Sequence, residues 1–189
     1  MLARSVSGWS RSGALTHFFA LFLSLANSHC QDDHSPDRCA NGTCICDARE
    51  DCQFACEAPP CHVACGADST CSGACANGEC TCGERASCGF VCDAPPCHVT
   101  CDGSNPACSG ECANGTCDCR PGSSCEFTCL SGPCHTLCGA GSSCVVHCPN
   151  APAGSQDCDI ARCESGSITL CPDGKSTTCN ASCPVGDAG

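Results

Sequence analysis

Tyrosine is absent, methionine and tryptophan occur once each, and phenylalanine occurs six times. Half of the phenylalanines, together with Met1 and Trp9, lie in the first 28 residues, so the only large rings beyond them are Phe54, Phe90 and Phe127. Burial of so little apolar area cannot offset an ordering cost of about 1.5 kcal/mol per residue, which excludes a conventional oily core. Basic residues are also scarce, eight against 20 acidic ones, for a formal charge of −12. Lys175 is the only lysine and the arginines are scattered, which excludes nucleic acid and an anionic membrane surface as partners. No window keeps a helical period. Nor does the chain contain Gly-x-Ser-x-Gly, His-Glu-x-x-His, a phosphate loop, Cys-x-x-Cys or Cys-x-x-Cys-His, so neither an enzyme nor a cofactor is expected.

What is abundant is cysteine, 31 residues in all. Residues 1–28 read as a signal peptide: Arg4 and Arg11 precede an apolar run from Ala14 to Ala26, and Ala26-Asn27-Ser28 places small residues at a cleavage site. The run is too short to favour a membrane span, so the membrane is met only through this leader. Cysteine at this density behind an export signal indicates a disulfide scaffold that is secreted, displayed at the cell surface or held in a periplasm.

After a lead-in over 29–38, residues 39–148 repeat. Cys39-Ala-Asn-Gly-Thr-Cys44-Ile-Cys46 recurs as Cys75-Ala-Asn-Gly-Glu-Cys80-Thr-Cys82 and as Cys112-Ala-Asn-Gly-Thr-Cys117-Asp-Cys119, offsets of 36 and 37 residues. Cys52-Gln-Phe-Ala-Cys56 returns as Cys88-Gly-Phe-Val-Cys92 and Cys125-Glu-Phe-Thr-Cys129. Cys61-His-Val-Ala-Cys65 returns as Cys97-His-Val-Thr-Cys101 and Cys134-His-Thr-Leu-Cys138; Cys71 and Cys108 complete the set, and Cys144 and Cys148 continue it. Alternate residues of a strand share a face, so Cys52, Phe54 and Cys56 point inward together, as do Cys61, Val63 and Cys65. Gly73 and Gly110 take the middle inward position in other segments, where the core must narrow.

A unit of strand and turn therefore recurs four times per repeat, and the fold class is small, disulfide-rich and all-β. Two arrangements fit it. Asn-Gly turns favour an array of stapled hairpins, the reading placed slightly ahead. The evenness of the step favours a thin β-solenoid with a disulfide interior. Spacing alone does not fix the pairing. Residues 149–157 read as a linker and 158–189 as a cysteine-rich cap or module, in which Cys158, Cys163, Cys171, Cys179 and Cys183 are more widely spaced. Pro172-Asp-Gly-Lys175 reads there as a hairpin turn. Five tail cysteines need at least one partner outside the tail, and Cys148 is the candidate. The odd total leaves one thiol over, for which Cys30, outside the repeat, is the natural choice.

The Cys-x-x-x-Cys, Asn-Gly-x-Cys-x-Cys and Cys-Pro-Asp-Gly segments resemble those of secreted cysteine-rich repeat proteins of predatory and social soil bacteria, the myxobacterial type. The likeness covers about Cys39 to Pro184, implies a bacterial extracellular protein, and brings with it neither a catalytic residue nor a settled biochemical role. Cys-Ala-Asn-Gly-Thr-Cys-Ile-Cys is also similar to part of an EGF-like module.

The expected role is a non-enzymatic structural or multivalent binding protein whose partner is an extracellular protein or a cell-surface or matrix ligand. A protease inhibitor or toxin-like effector is the second reading, with Glu57-Ala-Pro-Pro60 and Asp93-Ala-Pro-Pro96 as its stiff loops. The third is soft-metal binding through thiolates assisted by His62, His98 and His135, which strand alternation turns outward. Acidic turns such as Asp47-Ala-Arg-Glu-Asp51 read as solvated surface. Asn41-Gly-Thr, Asn114-Gly-Thr and Asn180-Ala-Ser fit the glycosylation pattern.

Overall fold

The computed structural model describes residues 39–40, 42–55 and 59–185, all within one compact unit, His34–Gly189. The leader, Cys30, Asn41, Cys56 and Glu57 lie outside the described residues. No helix occurs among the described residues, and none there is long and apolar enough to cross a membrane.

The chain winds as a thin β-solenoid of about five turns. Each 36- to 37-residue repeat makes two coils, and each coil crosses two facing parallel sheets. The elements are β1 (Cys39–Ala40), β2 (Thr43–Cys46), β3 (Asp51–Phe54), β4 (His62–Cys65), β5 (Thr70–Cys82), β6 (Ser87–Cys101), β7 (Ala107–Cys119), β8 (Ser124–Cys138) and β9 (Ser143–His147), followed by β10 (Cys158–Cys163), β11 (Ile168–Leu170) and β12 (Ser176–Cys179). On the first sheet Cys52, Cys71, Cys88, Cys108, Cys125 and Cys144 stack in register. On the second, Cys46, Cys65, Cys82, Cys101, Cys119 and Cys138 do the same. Backbone pairing continues round the corners, where Gly66, Gly83, Asp102, Arg120 and Gly139 each donate an N–H to a carbonyl of the preceding coil at 2.8–3.0 Å.

The first Asn-Gly corner, with Gly42 at φ 77°, does join β1 and β2 as an antiparallel pair, but the solenoid takes over because the later Asn-Gly corners are built differently. A two-residue hairpin turn of type I′ needs positive φ at both residues. Asn77 and Asn114 take positive φ (47° and 49°), but Gly78 and Gly115 are not among the residues that do. Each of these glycines presses on a carbonyl of the coil below, Cys61 or Cys97. The corner therefore carries the chain from one sheet to the other instead of folding it back beside itself.

Alternation decides what is inside. β2, β3 and β4 each run exposed, buried, exposed, buried, with cysteine, phenylalanine or valine at the buried positions. The inward middle column of the first sheet reads Phe54, Gly73, Phe90, Gly110, Phe127, Val146. Opposite it runs Cys44, Val63, Cys80, Val99, Cys117, Thr136, Ile160. Coils with a ring and a β-branched residue thus alternate with coils holding glycine and cysteine. At Gly73 and Gly110 the backbone and Cβ of Phe54 and Phe90 approach so closely that no side chain fits between.

From Cys46–Cys52 to Cys148–Cys158, every described bridge joins a cysteine to the next one in the chain. Each closes a corner: Cys75–Cys80 and Cys92–Cys97 on one edge, for example, and Cys82–Cys88 and Cys101–Cys108 on the other. Cys44 and Cys61 are also disulfide-bonded.

The tail ends the stack. β10 adds to β8 in parallel, whereas β12 pairs β9 antiparallel and β11 pairs β12 antiparallel around Asp173 and Gly174. Cys148 bonds Cys158, and the interleaved bridges Cys163–Cys179 and Cys171–Cys183 secure the hairpin.

Candidate functional site

Parallel stacking converts a motif that recurs along the chain into a column on the surface. On the outer side of the second sheet, Thr43, His62, Glu79, His98, Thr116, His135 and Asp159 follow one another coil by coil, four steps by strand register and two, His62 to Glu79 and His98 to Thr116, by a hydrogen bond. Ile45, Ala64, Thr81, Thr100, Asp118, Leu137 and Arg162 form the column beside it. Strands lie about 4.8 Å apart, so the histidines recur about every 10 Å, with a hydroxyl or carboxylate between.

All three histidines project outward as expected, but their ring nitrogens are engaged differently. Nδ1 of His62 accepts the backbone N–H of Glu79 at 3.4 Å, and Nδ1 of His98 accepts that of Thr116 at 3.1 Å. An acceptor at Nδ1 leaves the proton on Nε2, so these two rings offer a donor to solvent instead of a metal-binding lone pair. His135 differs: its Nδ1 lies 2.7 Å from Oδ1 of Asp159, the arrangement that orients a ring with Nε2 outward. The three rings thus occupy one column without converging on one ion.

The outer side of the first sheet is smaller and rich in hydroxyls. Asp51, Thr70, Ser87, Ala107, Ser124 and Ser143 form one column, and Gln53, Ser72, Gly89, Ser109, Glu126 and Val145 the next. A shallow trough of about 250 Å³ runs over Ser87, Ser109, Ser124 and Ser143 with Glu126 at its side. At the corners the charges also stack. Arg85 spans Asp68 with two bonds of 2.7 and 2.8 Å and also contacts Glu84 at 2.5 Å. The guanidinium bond holds the Asp68 carboxyl below its ordinary value, and Asp68 raises that of Arg85.

Of the two proline corners offered as inhibitory loops, the second belongs to a strand and keeps Pro95 exposed. Asp93–Pro96 falls inside β6, with Ala94 paired to Ala76, and Cys92–Cys97 closes it. The ligand clusters closest to a metal geometry are Cys65, Cys71 and Cys88, and Cys46, Glu50 and Cys52. All five sulfurs are in bridges, so they have no thiolate to offer. Of the glycosylation candidates, Asn114 is exposed, whereas the Asn180 side-chain amide donates to the Ser142 carbonyl at 3.0 Å.

One corner departs from the expected full oxidation. Cys129 and Cys134 occupy the place that Cys92 and Cys97 hold two coils earlier, yet both are thiols, and both are buried. The tail lies against this corner. Cys129 Sγ donates to the carbonyl of Asp157 at 3.6 Å, the same oxygen that accepts the Cys134 N–H at 3.0 Å. Cys129 is held below the ordinary thiol value by a hydrogen bond from Cys134, against burial and the carboxylates of Asp159 and Asp157. That bond, burial and the nearby negative charge push Cys134 up.

Sequence reasoning placed the histidines but missed the residues between them, because register across coils cannot be read without the pairing. It also missed the thiol pair, since the cysteine spacing at this corner is the same as at Cys92–Cys97. No family model, no curated protein and no solved structure matches the chain.

Proposed function

We propose that this protein is secreted and acts outside the cell as a non-enzymatic structural or multivalent binding element. The disulfide density and the all-strand solenoid make it a stable protein of extracellular type. The observation that carries the functional reading is the column Thr43 to Asp159: histidines recur on every second coil, with hydroxyl or carboxylate side chains between them, on a stack whose described corners are bridged except at Cys129 and Cys134. A rigid, evenly spaced face suits many weak contacts made together, with little ordering cost on binding. A cell-surface or matrix polymer with a repeating polar unit is the partner such a face fits.

The test compares the intact oxidised chain with a version lacking one repeat, residues 75–111, by adsorption to the surface of the cells that secrete it. The expected result is a loss of at least about tenfold in apparent affinity on shortening, unchanged by chelator. Equal binding by both lengths refutes multivalency. Zinc or copper uptake only after reduction would favour metal storage, and a stoichiometric complex with a protease would favour inhibition.

A further inference from the structure

We propose that Cys129 and Cys134 are a thiol–disulfide exchange site for a small-molecule disulfide, in which Cys129 attacks and Cys134 resolves. The two thiols sit at the only described corner of the repeat that is unbridged while both of its cysteines are described. A cavity of about 240 Å³ opens beside them, bordered by Cys129, Leu130 and Asn150 on one side and by Asp157 and Cys158 on the other. Its walls are fixed in place. Asn150 Nδ2 donates to the Leu130 carbonyl at 2.8 Å, and the Cys148–Cys158 bridge ties down the far wall. Cys129 lines the cavity and Cys134 does not, so an incoming disulfide meets Cys129 first.

In the first step the Cys129 thiolate displaces one sulfur of the incoming disulfide, forming a mixed disulfide at Cys129 and releasing one thiolate. Cys134 then loses its proton and attacks the Cys129 sulfur. The mixed bond breaks, the second thiol leaves, and the Cys129–Cys134 bridge closes. The protein thiols are oxidised by two electrons, the small disulfide is reduced to two thiols, and two protons pass to the leaving groups. The product matches the bridged state of Cys92–Cys97.

Glutathione disulfide is the probe, used on the full secreted chain and followed by acid quench, alkylation with N-ethylmaleimide and peptide mapping. Without the probe both thiols should alkylate, Cys129 at least about tenfold faster than Cys134. After the probe neither should alkylate, and the mass should fall by two hydrogens. Cys134→Ser should keep a glutathione adduct on Cys129, while Cys129→Ser should gain none on Cys134. If the secreted protein carries the bridge at the outset, titration with reduced glutathione decides. The site requires this bridge to open before Cys92–Cys97, and later or simultaneous opening overturns it. In the wild-type chain, which does not depend on either variant folding, an adduct on Cys134 instead of Cys129, or thiols inert to the probe, would also overturn it.

Discussion

Gly73 stands in register opposite Phe54, so close that a methyl group on its Cα would lie 2.5 Å from the Phe54 carbonyl oxygen and 2.8 Å from its Cβ. The narrow coil is therefore a packing requirement, and its glycine cannot be enlarged without pushing two coils apart. Gly73→Val should destabilise the oxidised protein by about 1–3 kcal/mol, read as a lower denaturant midpoint under non-reducing conditions. Phe90→Ala, which empties the other half of the same arrangement, should cost about 3 kcal/mol or more.

Thr136 is completely buried where Val63 and Val99 stand in equivalent coils, and its Oγ1 finds no hydrogen-bond partner among the described residues. A buried hydroxyl left unpaired carries its full desolvation cost. Thr136→Val should raise stability by about 1 kcal/mol, seen as a shift of the unfolding midpoint to higher denaturant.

The short bridges contribute modestly one by one. Cys82–Cys88 has a sequence separation of 6, for which the chain-entropy model gives about 2 kcal/mol. Replacing both cysteines by alanine should cost about that much and leave the remaining coils intact by circular dichroism. Complete reduction in metal-free buffer should instead abolish the cooperative transition, and a compact fold surviving it would contradict the reading of the core.

The three surface histidines should divide into two classes by nitrogen chemical shift. His62 and His98 should carry the neutral-state proton on Nε2, held there by the Glu79 and Thr116 amides, and His135 on Nδ1 beside Asp159. Asp159→Asn should alter the His135 signals and leave the other two unchanged.

Asp173 organises the terminal hairpin: its Oδ1 accepts the N–H groups of Lys175 and Ser176 at 2.9 Å, and its Oδ2 accepts the Ser176 hydroxyl at 2.6 Å. The Ser176 hydroxyl and these amides hold its carboxyl below the ordinary value. The folded value is the lower one, so this support is present above the unfolded-state value of about 4 and is lost as pH falls through the folded one. Amide shifts of Lys175 and Ser176 should therefore titrate with a midpoint below about 4, and Asp173→Asn should remove that titration.

Much of this fold can be read from residue spacing. The offset between Cys39 and Cys75 shows the repeat, and the Cys-His-Val and Cys-x-Phe alternations separate inside from outside before any pairing is known. The tail hairpin follows from Pro172-Asp-Gly-Lys175, and the need of the tail for an extra cysteine points to Cys148. The choice between hairpins and solenoid does not follow, because Asn77-Gly78 serves either. Only the φ of Gly78 and its contact with the coil below separate the two. The columns of facing side chains are hidden for the same reason: Glu79 lies between His62 and His98 through register, not through sequence distance. The contact of Cys129 with Asp157 is hidden too, because Asp157 belongs to the tail, which no repeat pattern anticipates.

Along the repeat, each described bridge joins a cysteine to its immediate successor, Cys129 and Cys134 alone staying unbridged among the described residues, and no described bridge jumps over a neighbour until Cys163. A chain threaded N-terminus first into an oxidising space would thus deliver the partner of each bridged cysteine next, from Cys46 to Cys158. Reshuffling would be needed only at the end, where Cys163 must wait past Cys171 for Cys179. Gain or loss of a whole repeat during evolution leaves every remaining partner unchanged, so length can vary without rewiring.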